Sequence, residues 1–277
     1  MIERPPRLRS RAIRLLSAAV ALGLALAGCS ATAARPPSTA APTQSDEWYV
    51  VGLGDSIPDG GRDCAGDCRT YPVLVGDQLA TVTGRSVHVD NDASNEGVVS
   101  SQTLESVTSD KAVRAAIREA DVVVLTTGNN DLNDCSYWGT LKSCTDALMP
   151  DIEDNIGKIL TAVTKLRDGK PTAIRVTNLY NTWVDIPTAA DDWSVPAADV
   201  SKFEPLYGAE LRALGDGICK VATAHGAVCV DILTAFNGPA GDQPAGPLLM
   251  GDGIHPSAAG HQKIAELIAA AGFAELK

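Results

Sequence analysis

The chain is poor in aromatic residues, which make up 4% of its 277 positions, and it has only four histidines. With so few aromatics, and no apolar stretch that marks an acyl tunnel, the sequence does not define a lipid-binding channel. Four histidines leave few candidates for a general base. Basic charge is also scarce, with 23 Lys and Arg against 34 Asp and Glu and a formal charge of −11. That balance argues against a nucleic-acid partner, and because so acidic a surface is repelled by anionic lipid headgroups, any membrane attachment is expected to come from something other than a basic patch. No apolar run is long enough to cross a bilayer, since the clearest one, Leu15 to Ala27, has thirteen residues. What is present is ordinary for a folded protein: 45% hydrophobic and 21% charged residues exclude a disordered chain, a collagen-like repeat and a polytopic membrane protein. The length is near the upper limit for one hydrophobic core, so one α/β domain with appendages is expected.

The appendage is at the N-terminus. Arg4, Arg7, Arg9, Arg11 and Arg14 precede the Leu15–Ala27 run, the layout of a secretory signal peptide. The run ends in Leu26-Ala27-Gly28-Cys29, which resembles the lipobox of bacterial lipoproteins. The resemblance implies a signal peptide over 1–28, cleavage before Cys29, and a membrane partner reached through lipid on that cysteine; ordinary cleavage near Ala31–Ala34 is the alternative. Residues 29–46 are small, polar and Pro-bearing, a tether with a root-mean-square span of roughly 20–25 Å. Removal of 1–28 leaves 18 basic against 33 acidic residues, a charge of −15. The expected location is extracytoplasmic, on the membrane or secreted, with 47–277 as a monomeric domain.

Export agrees with the cysteines. Besides Cys29 there are six, in close pairs separated by 4, 9 and 10 residues. We expect disulfides Cys64–Cys68, Cys135–Cys144 and Cys219–Cys229, formed in an oxidising compartment. Neither of the first two pairs has CxxC spacing or a nearby histidine, so no metal is expected.

From Glu47 onward, strand and helix patterns alternate. Trp48–Leu53, Ser86–Val89, Asp121–Thr127, Thr172–Thr177 and Ala227–Asp231 read as five strands, the third β-branched on both faces as in a buried parallel sheet. Helices are expected over Tyr71–Val82, Ser109–Ala120, the Ile152–Leu166 region and the Ile264–Ala271 region, with a longer one over Ser201–His225 broken near Gly215-Asp216-Gly217. This repetition predicts a parallel sheet covered on both faces. Asn181–Pro205 fits no template and reads as a long connection.

In such a sheet, ligands bind beyond the carboxyl ends of the strands. Gly54-Asp55-Ser56 follows the first strand, Gly128-Asn129-Asn130-Asp131 follows the third, and Asp252-Gly253-Ile254-His255-Pro256 precedes the last helix. A serine, an amide donor and an Asp/His pair are the components of acyl transfer. Of the other histidines, His88 lies in a strand, His225 ends a helix, and His261 is six residues beyond His255. That leaves His255 as the base, with Asp252 on the same turn to fix its tautomer. The pattern carries no cofactor requirement.

These segments resemble blocks I, III and V of the SGNH (GDSL) hydrolases, in order, across nearly all of 47–277. Block II is matched less closely by Gly97, with Ser100 and Leu104; a competing register puts Ser100 in the glycine position. The resemblance implies a single flavodoxin-like three-layer α/β/α domain with a five-stranded parallel sheet. It also implies Ser56 as nucleophile and an oxyanion hole from the N–H groups of Ser56 and Gly97 and the side chain of Asn130. Asp55 and Asp131 are expected to hold loops. The implied function is a serine ester hydrolase, a lipase or esterase acting on small-molecule or cell-envelope esters. The alternative is a lipoprotein that keeps the fold as a binding or assembly component with these residues idle. Trp138, Trp183 and Trp193 are candidates either for stacking on sugars or for packing.

Overall fold

Five parallel strands carry the molecule in the order β2-β1-β3-β4-β5, the flavodoxin-like order expected from the sequence. The structure, a computed structural model, describes residues 47–61, 69–135, 138–184, 195–196 and 198–276, all within one compact unit spanning Gln44–Lys277. The signal peptide, Cys29, the tether, the Cys64–Cys68 pair and Trp193 lie outside the described residues.

The strands are β1 (Glu47–Gly54), β2 (Ser86–Asn91), β3 (Val122–Thr126), β4 (Ala173–Thr177) and β5 (Val228–Val230). Every residue of β3 and β4 is buried, which is why they read as apolar or β-branched runs rather than as alternations. Helices α1 (Ser56–Asp59), α2 (Tyr71–Thr83), α3 (Ser100–Ser109), α4 (Lys111–Glu119), α5 (Leu141–Arg167), α6 (Val200–Ala224), α7 (Leu233–Asn237) and α8 (Ala258–Ala270) follow in chain order. α5 packs with α3, α4 and α6, and α2 with α8. Two apolar clusters result, one containing Val123, Leu125, Ile156 and Leu214, the other Val50, Val75, Val124 and Ile264. Successive β3 side chains feed opposite clusters, as strand geometry requires.

Two local expectations need correction. α6 runs unbroken through Gly215-Asp216-Gly217, because those glycines serve close packing rather than a turn. A Cβ on Gly215 would come within 3.2 Å of Asn178, and one on Gly217 would collide with the Glu153 carboxylate of α5. The second is α3, absent from the sequence reading, which had its neighbour helix starting at Ser109. Its sequence, SSQTLESVTS, buries only Ser100, Thr103 and Val107, too few apolar positions to give a helical period.

Tertiary ties secure the periphery. Cys135–Cys144 and Cys219–Cys229 are bonded, with Cα separations of 5.6 and 5.0 Å. Arg175, 1% exposed in the middle of β4, donates to both oxygens of Glu275 at 2.9 Å and to the Gly272 carbonyl. The C-terminal segment thereby closes over the sheet, and a buried cation gains a bidentate partner.

Two tests follow from these ties. Glu275→Ala should lower unfolding stability by about 1.5–3 kcal/mol, the range for a hydrogen bond to a charged group, read from the urea midpoint; an unchanged midpoint would mean that Gly272 alone satisfies Arg175. Non-reducing peptide mapping should recover 135–144 and 219–229 as separate bridges, and a free thiol at any of the four would contradict the pairing.

Candidate active site

Gly54 ends β1 with φ +125°, and a Cβ there would run into the Thr126 carbonyl at the end of β3. Glycine is therefore required for the two strand ends to close on each other. The following Asp55 N–H donates to that same carbonyl at 3.2 Å. Asp55 then caps α1, its Oδ1 accepting the Ile57 N–H at 3.0 Å. Ser56 is thus the first residue of a one-turn helix, where the backbone N–H has no helical partner.

His255 approaches the other end of that turn. Gly60 donates to the Ser56 carbonyl at 2.9 Å, and a Cβ on the next residue, Gly61, would lie 2.7 Å from the His255 ring carbons. The imidazole therefore packs directly on the backbone that ends α1. Asp59, also on α1, lies near His255. Among the described residues, none hydrogen-bonds the Ser56 hydroxyl.

The loop that presents His255 is a tight β-bridged turn. Leu249 pairs with Pro256, Met250 N–H donates to the His255 carbonyl at 2.8 Å, and Tyr180, just after β4, donates its hydroxyl to the Ile254 carbonyl at 2.7 Å. Within it, Asp252 Oδ2 is 2.7 Å from His255 Nδ1, while Oδ1 accepts the N–H groups of Ile254 and His255 at 2.9 and 3.0 Å. Partial burial works against ionisation of Asp252, yet the bonds from the His255 ring and the two N–H groups outweigh it and hold the carboxyl below its ordinary range. A carboxylate so fixed accepts from Nδ1–H and leaves Nε2 as the free base.

Block II and block III meet across the mouth. Asn130 Nδ2 donates to the Val98 carbonyl at 2.9 Å, which orients the amide and leaves its second hydrogen unused. Ser100 is spent: its N–H and hydroxyl bond the Asp131 carboxylate at 2.8 and 2.5 Å, and Asn155 donates to the same hydroxyl at 3.0 Å. The register that places Ser100 in the glycine position thereby loses its donor. Gly97, with φ +68°, remains exposed in the loop next to Val98. Asp131 is a loop anchor, as expected.

The other histidines are elsewhere. His88 pairs with Asp90 at 3.0 Å in β2, and His225 closes α6. His261 is fully buried, accepts the Tyr71 N–H on Nδ1 at 3.2 Å, and is pushed down to about 4 by burial and by His255. It is a neutral tie between α8 and α2. Trp183 packs edge-on against Tyr207 at 6.1 Å, which favours the packing role for that tryptophan. Among the described residues no group of carboxylates, cysteines and histidines could hold a metal ion.

Two features go unread in the sequence: the role of Tyr180, and the full burial of Asp55, which is expected there only to hold a loop. Tyr180 could have been flagged only by its place after a strand. Asp55 is fully buried, and burial with the nearby Asp131 carboxylate raises it from 3.8 to about 7; its Oδ2 lacks a hydrogen-bond partner. Its folded-state value exceeds its unfolded one, so its contribution to stability is complete below 3.8 and is lost as pH rises through 7, at up to about 1.4 kcal/mol per pH unit. Asp55→Asn should flatten that decline, as measured by urea denaturation between pH 4 and 8. An unchanged slope would assign the titration to another group.

Residues 53–263 match the model of the GDSL-like lipase/acylhydrolase family. A lipase from a goat rumen metagenome superposes with a TM-score of 0.65 at 19% identity, over 83% of this chain and 100% of that one. An acetylxylan esterase from Geobacillus stearothermophilus gives a TM-score of 0.56 at 19% identity, over 83% and 96%. At such identities the likeness establishes the fold. No curated protein sequence matches the chain. With the matched span running from the end of β1 into α8 and enclosing all the elements of the mouth, the chain belongs to the GDSL-like lipase/acylhydrolase family of ester-hydrolysing enzymes.

Proposed function

We propose that the protein is a serine ester hydrolase that works through an acyl-enzyme at Ser56 and is held at the cell envelope by lipid on Cys29. One observation carries the catalytic reading: the Asp252–His255 pair, bonded at 2.7 Å, packs on Gly61 at the end of the helical turn that Ser56 begins. His255 Nε2 takes the proton of the Ser56 hydroxyl as its oxygen attacks the ester carbonyl, and Asp252 steadies the imidazolium that forms. Ser56 N–H, Gly97 N–H and the second hydrogen of Asn130 Nδ2 meet the oxyanion. The alcohol departs with the proton from His255, and water then repeats the sequence to release the acid and restore Ser56.

A short acyl group is supported by a small void that Ile57 and Asn129, the chain neighbours of Ser56 and Asn130, share with residues after β4 and β5. The void among Ile57, Asn129, Tyr180 and Ile232 holds about 10 Å³, close to one water and suited to a methyl rather than a long chain. We therefore favour acetyl-sized esters, whether small molecules or groups on an envelope polymer. Tethering is supported by Arg4–Arg14, the short apolar run and Leu26–Cys29.

A panel of p-nitrophenyl esters from acetyl to octanoyl tests the reading. kcat/KM should be highest for acetyl, and Ser56→Ala should lower kcat by at least about 10³-fold. Asn130→Ala should lower kcat by roughly 10²–10³-fold with little change in KM, the signature of a lost oxyanion donor. Undiminished turnover in Ser56→Ala would end the mechanism, and a preference for octanoyl would end the acetyl assignment.

A further inference from the structure

One part of this acidic surface carries the opposite charge. Between α4 and the last turns of α5 runs a groove of about 600 Å³ lined by Arg114, Arg118, Lys165 and Lys170, together with Glu119 and Asp168. Among the described residues none of the four cations forms an ion pair, whereas Arg167 pairs with Asp121 and Arg175 with Glu275. Three of them rest on carbonyls instead: Arg114 on Thr108 at 2.9 Å, Arg118 on Arg114 at 3.1 Å, and Lys170 on Arg118 at 3.3 Å. A carbonyl satisfies a donor without cancelling its charge, so the groove stays positive toward solvent.

Topology gives the groove its partner. α4 leads into β3 and α5 into β4, so both helices end at the amino edge of the parallel sheet, opposite the edge that carries Ser56 and His255. β1 starts on the same amino edge. Its Tyr49 N–H bonds the Asp121 carboxylate at 3.0 Å, and Asp121 pairs with Arg167, at the end of α5, at 3.6 Å. The start of β1 therefore lies on the same edge of the sheet as the groove. Val82, at 78% exposure the most exposed large apolar side chain described, lies near the end of α2 on this edge too. Unpaired cations and an exposed apolar side chain, on the edge where β1 begins, together suit an interfacial surface.

We propose that the amino edge, through the Arg114, Arg118, Lys165 and Lys170 groove, docks on the anionic phospholipid headgroups of the bilayer that anchors Cys29, and so holds the Ser56–His255 mouth away from that bilayer. The proposal rests on the tethering reading for its anchor. The acidic remainder of the surface is repelled by the same headgroups, which reinforces the orientation. The ester would then be presented from outside the membrane, on a wall polymer or in solution, and not by the acyl chains of the anchoring lipids.

The test uses the lipidated full chain in vesicles of 30% phosphatidylglycerol and 70% phosphatidylcholine, with a donor dye at Val82→Cys or Ile254→Cys and an acceptor on the lipid headgroups. Energy transfer should be stronger from Val82 than from Ile254. That difference should shrink at least twofold in phosphatidylcholine alone and in the variant with Arg114, Arg118, Lys165 and Lys170 all changed to Gln. Lys165→Gln with Lys170→Gln, both exposed, repeats the test should the fourfold variant fold poorly. Equal transfer from the two positions, or a wild-type difference retained in the glutamine variants, would overturn the proposal. An unmodified Cys29 by mass spectrometry would end only the tethering reading. The groove would then be judged on the Cys29→Ala full chain, whose pelleting with the same vesicles should fall roughly fivefold or more when the groove is neutralised; undiminished pelleting would overturn it.

Discussion

All five strands point the same way, and the mouth depends on that one constraint. Each loop that follows a strand must emerge on the same edge, so Ser56 after β1, Asn130 after β3 and Tyr180 after β4 arrive together although they are far apart in the chain. The closest joint is at Gly54, whose lack of a side chain lets β1 end against the Thr126 carbonyl of β3. From that joint Asp55 caps the single turn that presents Ser56, and Gly61 at its far end receives the ring of His255. A larger residue at Gly54 would displace Ser56 by way of the Thr126 carbonyl, and one at Gly61 would strike the His255 ring itself.

The sequence made much of this legible because the informative patterns were local. β3 and β4 are buried on both faces, so their runs could hardly be anything but central strands. Asp252 and His255 are three residues apart on one turn, and their bond needs no long-range knowledge. What escaped was what depends on a distant partner. Tyr180 holds the Ile254 carbonyl from 74 residues away, and Arg175 meets Glu275 across 100 residues. The Asn178 side chain, which accepts from Ile232 and Leu233 and donates to Asp231, is equally silent in the sequence. Gly215 and Gly217 misled because glycine has two uses, turning a chain and letting elements approach. Only the positions of Asn178 and Glu153 show that the second applies.

Electrostatics divide the domain by edge. Next to Ser56 in the chain, Asp55 is buried and, with Asp131 nearby, raised to about 7. Well below that pH it adds little negative charge beside Ser56, where the proposed mechanism develops an oxyanion. At the opposite edge Arg114, Arg118, Lys165 and Lys170 have no ion-pair partner among the described residues despite the acidic excess of the chain. Burial thus quiets charge beside Ser56, while exposure keeps it available at the edge where β1 begins.

The central claim is that Ser56, His255 and Asn130 act on one ester carbonyl. A crystal structure of the enzyme inactivated by a methyl phosphonate ester tests it most directly, because the phosphonyl group copies the tetrahedral intermediate. The account predicts a covalent bond from Ser56 Oγ to phosphorus, with the phosphonyl oxygen within about 3 Å of Ser56 N–H and Asn130 Nδ2. It also predicts His255 Nε2 within hydrogen-bond reach of Oγ. An adduct on another serine, or one whose phosphonyl oxygen points away from Asn130 into solvent, would contradict it.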